Sequence, residues 1–148
     1  MLKLSRKTLL AFEAVLDVAF NARPDPVQSK DITRRLGIPQ RYLEQVMQQL
    51  VREGVLKGVR GPRGGYTLAR ERRRITVAEI VRIVDAADEE TEPEPPASAL
   101  SAAVSRPLWR TAQEAVLAEL GQVTMQDLCD EAESKGVRRE HIAPDFTI

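Results

Sequence analysis

Residues 37–68, GIPQRYLEQVMQQLVREGVLKGVRGPRGGYTL, decide the architecture. Ile38 supplies an apolar residue before a helix start, and Pro39 brings a φ suited to the first turn. Leu43, Val46, Met47, Leu50 and Val51 then recur at helical spacing and form one continuous core face. The opposite face carries Gln40, Arg41, Glu44, Gln45, Gln48 and Gln49. Amides and guanidiniums of this kind can bond adenine and guanine edges in pairs, whereas a merely solvated face more often alternates lysine with glutamate. Gly54 ends the helix. Beyond it, Val55, Lys57 and Val59, then Tyr66 and Leu68, alternate around GVRGPRGGY, which reads as a strand, a tight Gly/Pro turn and a return strand. Arg60 and Arg63 fall on that turn, where Gly64 and its neighbours let the backbone approach a sugar-phosphate surface and arginines can enter a narrow minor groove.

Upstream, Lys3 to Ala22 is expected as a first helix capped by Ser5, with Phe12, Val15, Leu16 and Ala19 as its core stripe. Arg6 and Lys7 at its start have two readings, a phosphate contact or a solvated helix end. Arg23 to Val27, with two prolines, is a loop. Ser29 is expected to cap a short helix to Leu36, with Asp31 in its first turn and Arg34 and Arg35 in its last, as the helix dipole favours. Gly37 closes it. This helix and the Gln40 helix form a helix-turn-helix pair. The predicted fold is mainly α: a winged helix-turn-helix with a two-stranded β wing, followed by a long C-terminal dimerisation helix.

Downstream, Arg70 to Arg74 is a charge run that is either solvated or in contact with DNA. Thr76 and Glu79 make a capping box, followed by Val77, Ile80, Val81 and Val84 on the buried face of a helix ending near Ala87. The segment DEETEPEPPAS, residues 88–98, has five acids and three prolines and cannot bury a core, so it reads as a loop or linker. Ser105 is expected to cap the next long helix, with Pro107 in its first turn, although residues 97–104 could add a preceding turn. Its apolar residues, including Leu108, Trp109, Ala112, Ala115, Val116, Leu117 and Leu120, spread over two sides. One side is expected to pack on its own domain and the other on a second copy, with Trp109, Ala112, Val116, Leu117 and Leu120 at the dimer contact. Thr124 starts a short helix to about Lys135, and the remaining tail shows no packing pattern. The expected organisation is a DNA-binding domain over 1–87, an acidic loop over 88–104, the dimerisation and short helices over 105–135, and a tail over 136–148.

Charge and composition narrow the function. Residues 1–74 contain 16 Lys+Arg against 7 Asp+Glu, and residues 75–148 contain 6 against 15, so a net charge of zero conceals excesses of +9 and −9. The basic part is the part with the wing, where positive charge favours phosphate contact through counterion release. No apolar run is long enough for a membrane span and the N-terminus lacks the order of a signal peptide, so the expected location is cytoplasmic. The single cysteine, Cys129, excludes an intramolecular disulfide and any multi-cysteine metal site. Catalysis by Cys129 with His141 is disfavoured because a cysteine on an apolar helix is usually a buried thiol. GVRGPRGG lacks the Gly-Lys-Ser/Thr ending of a nucleotide-binding loop. The remaining rival is a winged helix used only to bind protein.

The sequence resembles the Rrf2 family of bacterial winged-helix transcription regulators over roughly residues 1–130. The resemblance rests on Tyr42-Leu43-Glu44-Gln45, Val59-Arg60-Gly61-Pro62 with Gly64-Gly65-Tyr66, Val84-Asp85, Leu108-Trp109, and Thr124 through Leu128, in this order and spacing. It implies a homodimeric regulator with the Glu44 helix in the major groove and the Arg60 wing in the minor groove. DNA-contacting positions are then expected at Gln40, Arg41, Tyr42, Glu44, Gln45, Gln48, Arg60, Arg63 and Gly64. Many family members hold an iron–sulfur cluster through three cysteines in the loop before the dimer helix, often with a histidine just before Leu-Trp. Here that loop has no cysteine and Arg106 stands at the histidine position, so no metal or cofactor is expected. Similarity to cluster-free relatives allows regulation by a protein partner, a small-molecule effector, or dimer concentration alone.

Overall fold

The computed structural model describes residues 4–91 and 94–140. Helix α1, Arg6–Asn21, begins after Ser5, whose Oγ accepts from the Thr8 amide at 3.3 Å. Ala11, Ala14, Val15, Val18 and Ala19 are buried, while Phe12 and Leu16 lie half-buried at the flank. The buried stripe is thus centred on small residues, which let neighbouring helices approach closely.

Helix α2, Ser29–Leu36, corrects one expectation. Gln28, not Ser29, occupies the cap position and makes no side-chain cap bond; Ser29 is the first helical residue, and its hydroxyl instead accepts from Gln40 Nε2 at 2.9 Å. Gly37 closes α2 in the left-handed region at φ 66°, with its N–H donating to the Thr33 carbonyl. Pro39 then sits just outside helix α3, Gln40–Arg52, as an extended cap residue rather than in the first turn. Leu43, Val46, Met47 and Leu50 are buried as expected, whereas Val51 lies at the rim with 36% of its surface exposed.

Strands β1, Leu56–Val59, and β2, Gly65–Leu68, pair antiparallel, with Leu56 opposite Leu68 and Val59 opposite Gly65. A bridge between Val27 and Tyr66 anchors this hairpin to the loop before α2: Tyr66 N–H donates to the Val27 carbonyl at 2.8 Å and Val27 N–H to the Tyr66 carbonyl at 3.0 Å. The approach is close enough to require glycine. A Cβ on Gly65 would stand 2.3 Å from the Val27 oxygen, and one on Gly64 would stand 2.2 Å from the Val59 oxygen.

A 3-10 turn over Arg72–Arg74 leads to helix α4, Val77–Thr91. Thr76 Oγ1 accepts from the Glu79 amide at 3.2 Å, and Val77, Ile80, Val81 and Val84 are buried. The helix runs past the expected end at Ala87, because alanine and glutamate sustain helix and no proline intervenes before Pro93. Residues 94–98 have no regular structure, so the acidic loop is shorter than the sequence suggested.

The second correction concerns Ser105. Residues 99–120 are helical throughout, and Ser98 Oγ accepts from the Ser101 amide at 3.1 Å. Ser105 is an interior residue with helical φ and ψ and caps nothing. Pro107 therefore lies inside the helix, where it removes one amide donor and crowds the preceding turn. A π turn over Ser101–Ser105, closed by the Arg106 N–H donating to the Ser101 carbonyl, widens the helix immediately before helix α5, Arg106–Leu120, and accommodates the ring.

Helix α6, Met125–Ser134, starts in a reciprocal capping box of Thr124 and Asp127. Val77 N–H donates to the Val123 carbonyl at 3.0 Å and Met125 N–H to the Ile75 carbonyl at 2.9 Å, which fasten the start of α6 beside the start of α4. Met125 and Cys129 consequently belong to the same core as Ile32, Leu43, Met47, Leu50 and Ile80. The segment after α6 is also packed, contrary to expectation. Glu140 N–H donates to Asn21 Oδ1 at 3.0 Å, and the Glu140 carboxylate meets Arg34 at 2.7 Å and Arg35 at 2.6 Å. Those contacts are tertiary ion pairs without a local pattern. His141 and the rest of the tail lie outside the described residues.

Candidate nucleic-acid interface

The exposed side of α3 presents Arg41, Glu44, Gln45 and Gln48. Core packing of Leu43, Val46, Met47 and Leu50 on the other side fixes this orientation. Two residues of the expected polar face are not free. Gln49 turns into the domain and donates to the Ile83 carbonyl of α4 at 2.8 Å, while Gln40 donates to Ser29 Oγ and, at 3.1 Å, to Glu44 Oε1. Tyr42 is half-buried against the core.

The wing carries Arg60 and Arg63 exposed on its turn, with Gly61 at φ 114°. The Val27–Tyr66 bridge brings the wing beside the start of α2, so that Gln28, Ser29 and Lys30 on one side and Gly58 through Pro62 with Gly64 through Tyr66 on the other line one groove, with Arg63 outside its lining. Lys30 was not singled out from sequence; its position at the open N-terminus of α2 was the available signal. Burial raises the Tyr66 phenol above its ordinary pKa, and the nearby negative charge of Glu44 adds to the shift. Glu44 thus bonds to Gln40 at its own helix start and carries its charge within electrostatic range of the wing.

Most arginines of the 70–74 run are occupied within the protein. Arg70 pairs with Glu79, and Arg73 pairs with Glu71, whose carboxyl it holds below the usual range. Arg72 lies beside Cys129, where burial pushes the thiol up and the guanidinium partly opposes that. Arg35 is chelated by Asp17, Nε to Oδ2 at 2.8 Å and Nη2 to Oδ1 at 2.7 Å, with Glu140 on its remaining side. These bonds raise the Arg35 pKa and those of Glu140 to Arg35 and Arg34 lower its carboxyl.

On the 99–120 helix, Leu100, Val104, Leu108 and Trp109 form an exposed apolar stripe, with Leu108 68% and Trp109 55% exposed. Ala112 is exposed, Val116 is half-buried, and Leu117 and Leu120 pack against the protein's own core. Leu100 and Val104 were missed because Ser105 and Pro107 read locally as a helix start. Arg106 Nη2 donates to the Pro95 carbonyl at 2.7 Å and lies 3.7 Å from Glu94, so it fastens the acidic loop to this helix. Among the described residues no helix is long and apolar enough to cross a membrane.

A helix-turn-helix with a polar outer face on its second helix and an arginine-tipped wing beside it defines a winged helix-turn-helix protein of the DNA-binding class. Residues 4–131 match the Rrf2 family, described as iron-dependent transcriptional regulators, and the chain belongs to that family. It is similar to the HTH-type transcriptional regulator IscR of Xenorhabdus nematophila, 35% identical over 129 residues covering 86% of this chain and 79% of that one. It is 32% identical to IscR of Escherichia coli K12 over 148 residues, covering 97% and 91%. Among solved structures, T. potens IscR superposes with a TM-score of 0.74 at 31% identity, covering 94% of each chain. CymR, the global cysteine regulator of B. subtilis, superposes with a TM-score of 0.70 at 29% identity, covering 88% of this chain and 98% of that one. The protein is accordingly a DNA-binding transcriptional regulator and not an enzyme.

The family description raises iron, and the residues present do not fit a thiolate-held iron site. The chain has one cysteine, and it is buried in α6. Among the described residues no group of histidine, cysteine, aspartate and glutamate side chains is placed to hold a metal ion.

Proposed function

We propose that the protein acts in the cytoplasm as a homodimer that inserts α3 into the major groove and the wing into the adjacent minor groove, and that it does so without an iron–sulfur cluster. Arg41, Glu44, Gln45 and Gln48 would read base edges, with Tyr42 holding the helix surface against the core. Arg60 and Arg63 would follow the minor groove, with Gly64 permitting the turn. The observation that carries this reading is the shared groove between the start of α2 and the wing, which α3 adjoins through the Gln40–Ser29 bond. Among the described residues no carboxylate pairs with Arg41, Arg60 or Arg63, so these cations remain available to phosphates and bases.

The exposed stripe of Leu100, Val104, Leu108 and Trp109 supports the dimer, since a soluble domain rarely leaves such a row uncovered. Ala112 and Val116 continue it. Leu117 and Leu120 are half-buried on the protein's own core and would border the contact from beneath. Regulation would then act through a partner protein, a small molecule or dimer concentration.

The test begins with selection of bound sites from random duplex DNA. Arg60→Ala/Arg63→Ala should weaken binding to the selected operator and to scrambled duplex alike and reduce the salt slope by about one to two. An unchanged slope would remove the wing from the DNA.

A further inference from the structure

Gln40 begins α3 on its exposed side, and a glutamine there would ordinarily be taken as a base reader. Its amide is already committed. One Nε2 hydrogen goes to Ser29 Oγ on α2 at 2.9 Å and the other to Glu44 Oε1 one turn along α3 at 3.1 Å. On the opposite side, Thr33 Oγ1 stands 3.3 Å from Gln40 Oε1, its proton shared with the Lys30 carbonyl at 2.8 Å. The orientation of the amide follows from charge. Reversing it would set a carbonyl oxygen against the Glu44 carboxylate, so the donor end must face Glu44.

A glutamate on an exposed helix face has three side-chain rotors and spreads its carboxylate over many positions. Reading one base requires that carboxylate in one place. Here the Gln40 donor holds it from the α2 side, while the wing places the Tyr66 phenol within its electrostatic reach. The same amide spans both helices of the reading head, so the position of Glu44 is referred to α2 as well as to α3.

We propose that Gln40 is a positioning residue that presets Glu44 for sequence discrimination and is not itself a base reader. This rests on Glu44 being a discriminating residue of the reading head, so the test separates the two claims. Four proteins are compared for the ratio of operator to scrambled-duplex affinity: the wild type, Gln40→Met, Glu44→Ala and the double variant. Methionine keeps the length and helix propensity of glutamine without the amide. Loss of one hydrogen bond's worth of orientation should lower the ratio about two- to tenfold in Gln40→Met. In the Glu44→Ala background the same substitution should change nothing. Gln40→Glu, which favours the helix start but repels Glu44, should lower the ratio at least as much while the thermal midpoint holds or rises. A drop of equal size in both backgrounds would make Gln40 a direct reader and overturn the proposal. A normal ratio in Gln40→Met beside a lowered one in Glu44→Ala would overturn it while leaving Glu44 in place. An unchanged ratio in Glu44→Ala would overturn both.

Discussion

Two glycines of one hairpin, Gly65 and Gly58, should respond differently to the same substitution, and Gly65 is the decisive one. An alanine Cβ there would lie 2.3 Å from the Val27 oxygen and 2.6 Å from its carbonyl carbon, both backbone atoms. Relief to an ordinary contact requires the wing and the loop before α2 to separate by about 1 Å. The two bonds of the Val27–Tyr66 bridge, at 2.8 and 3.0 Å, would then stretch beyond hydrogen-bonding range. Losing both costs about 1–3 kcal/mol, equivalent to a fall in thermal midpoint on the order of 5 °C. The larger effect should be functional, because that bridge aims Arg60 and Arg63. Gly65→Ala should therefore keep its helical circular dichroism but lose at least about tenfold in affinity for operator and scrambled duplex together, as a misplaced wing forfeits phosphate contacts. Gly58→Ala is the control for stability: a Cβ there meets nothing within 4 Å of the protein, so the thermal midpoint should match or slightly exceed the wild type. Equal binding by Gly65→Ala and the wild type in fluorescence anisotropy would refute the role of the bridge in aiming the wing.

Arg35→Met strands the Asp17 carboxylate, whose side chain is only 8% exposed, and should cost about 2–4 kcal/mol in urea unfolding; adding Asp17→Asn should restore at least half of that. Because its two arginines depress the Glu140 carboxyl, the stabilisation it supplies is present above the ordinary carboxylate pKa and disappears as pH falls through the depressed value. The stability gap between wild type and Glu140→Gln should thus be visible at neutral pH and close in acid. Trp109→Glu should leave a folded protein of half the wild-type mass in light scattering at micromolar concentration, and an undiminished mass would move the dimer contact elsewhere.

The helix-turn-helix and its wing were legible because their determinants are local. The spacing of Leu43, Val46, Met47 and Leu50 marks a buried helix face, Gly37 is needed for a left-handed turn, and GPRGG leaves little choice but a hairpin tip. What escaped reading was decided at a distance or by competition between local rules. Pro107 looked like a helix start because proline normally belongs there, yet a π turn five residues long absorbs it inside a continuous helix. Gln49 has the spacing of a solvent-facing residue, but a carbonyl of α4, thirty-four residues away, claims its amide. The docking of Glu140 on α2 has no sequence period, since an ion pair needs only proximity, which the fold supplies.

The division of charge along the chain illustrates the same difference between pattern and placement. An excess of basic residues before residue 75 suggests a broad cationic surface, yet the fold consumes much of it. Asp17 and Glu140 take up Arg35, Glu140 and Asp31 engage Arg34, Glu79 from the acidic half pairs with Arg70, and Glu71 pairs with Arg73. Those pairs brace α2 and the turn before α4 without lending field to a ligand. What stays exposed near the groove is sparse: Lys30 at the start of α2, Arg41 on α3, and Arg60 and Arg63 on the wing. A few cations on two rigidly connected walls give less nonspecific affinity than a basic surface would. If α3 enters the major groove as proposed, they also leave more of the binding energy to the groove edges, where Glu44, Gln45 and Gln48 would distinguish one base pair from another.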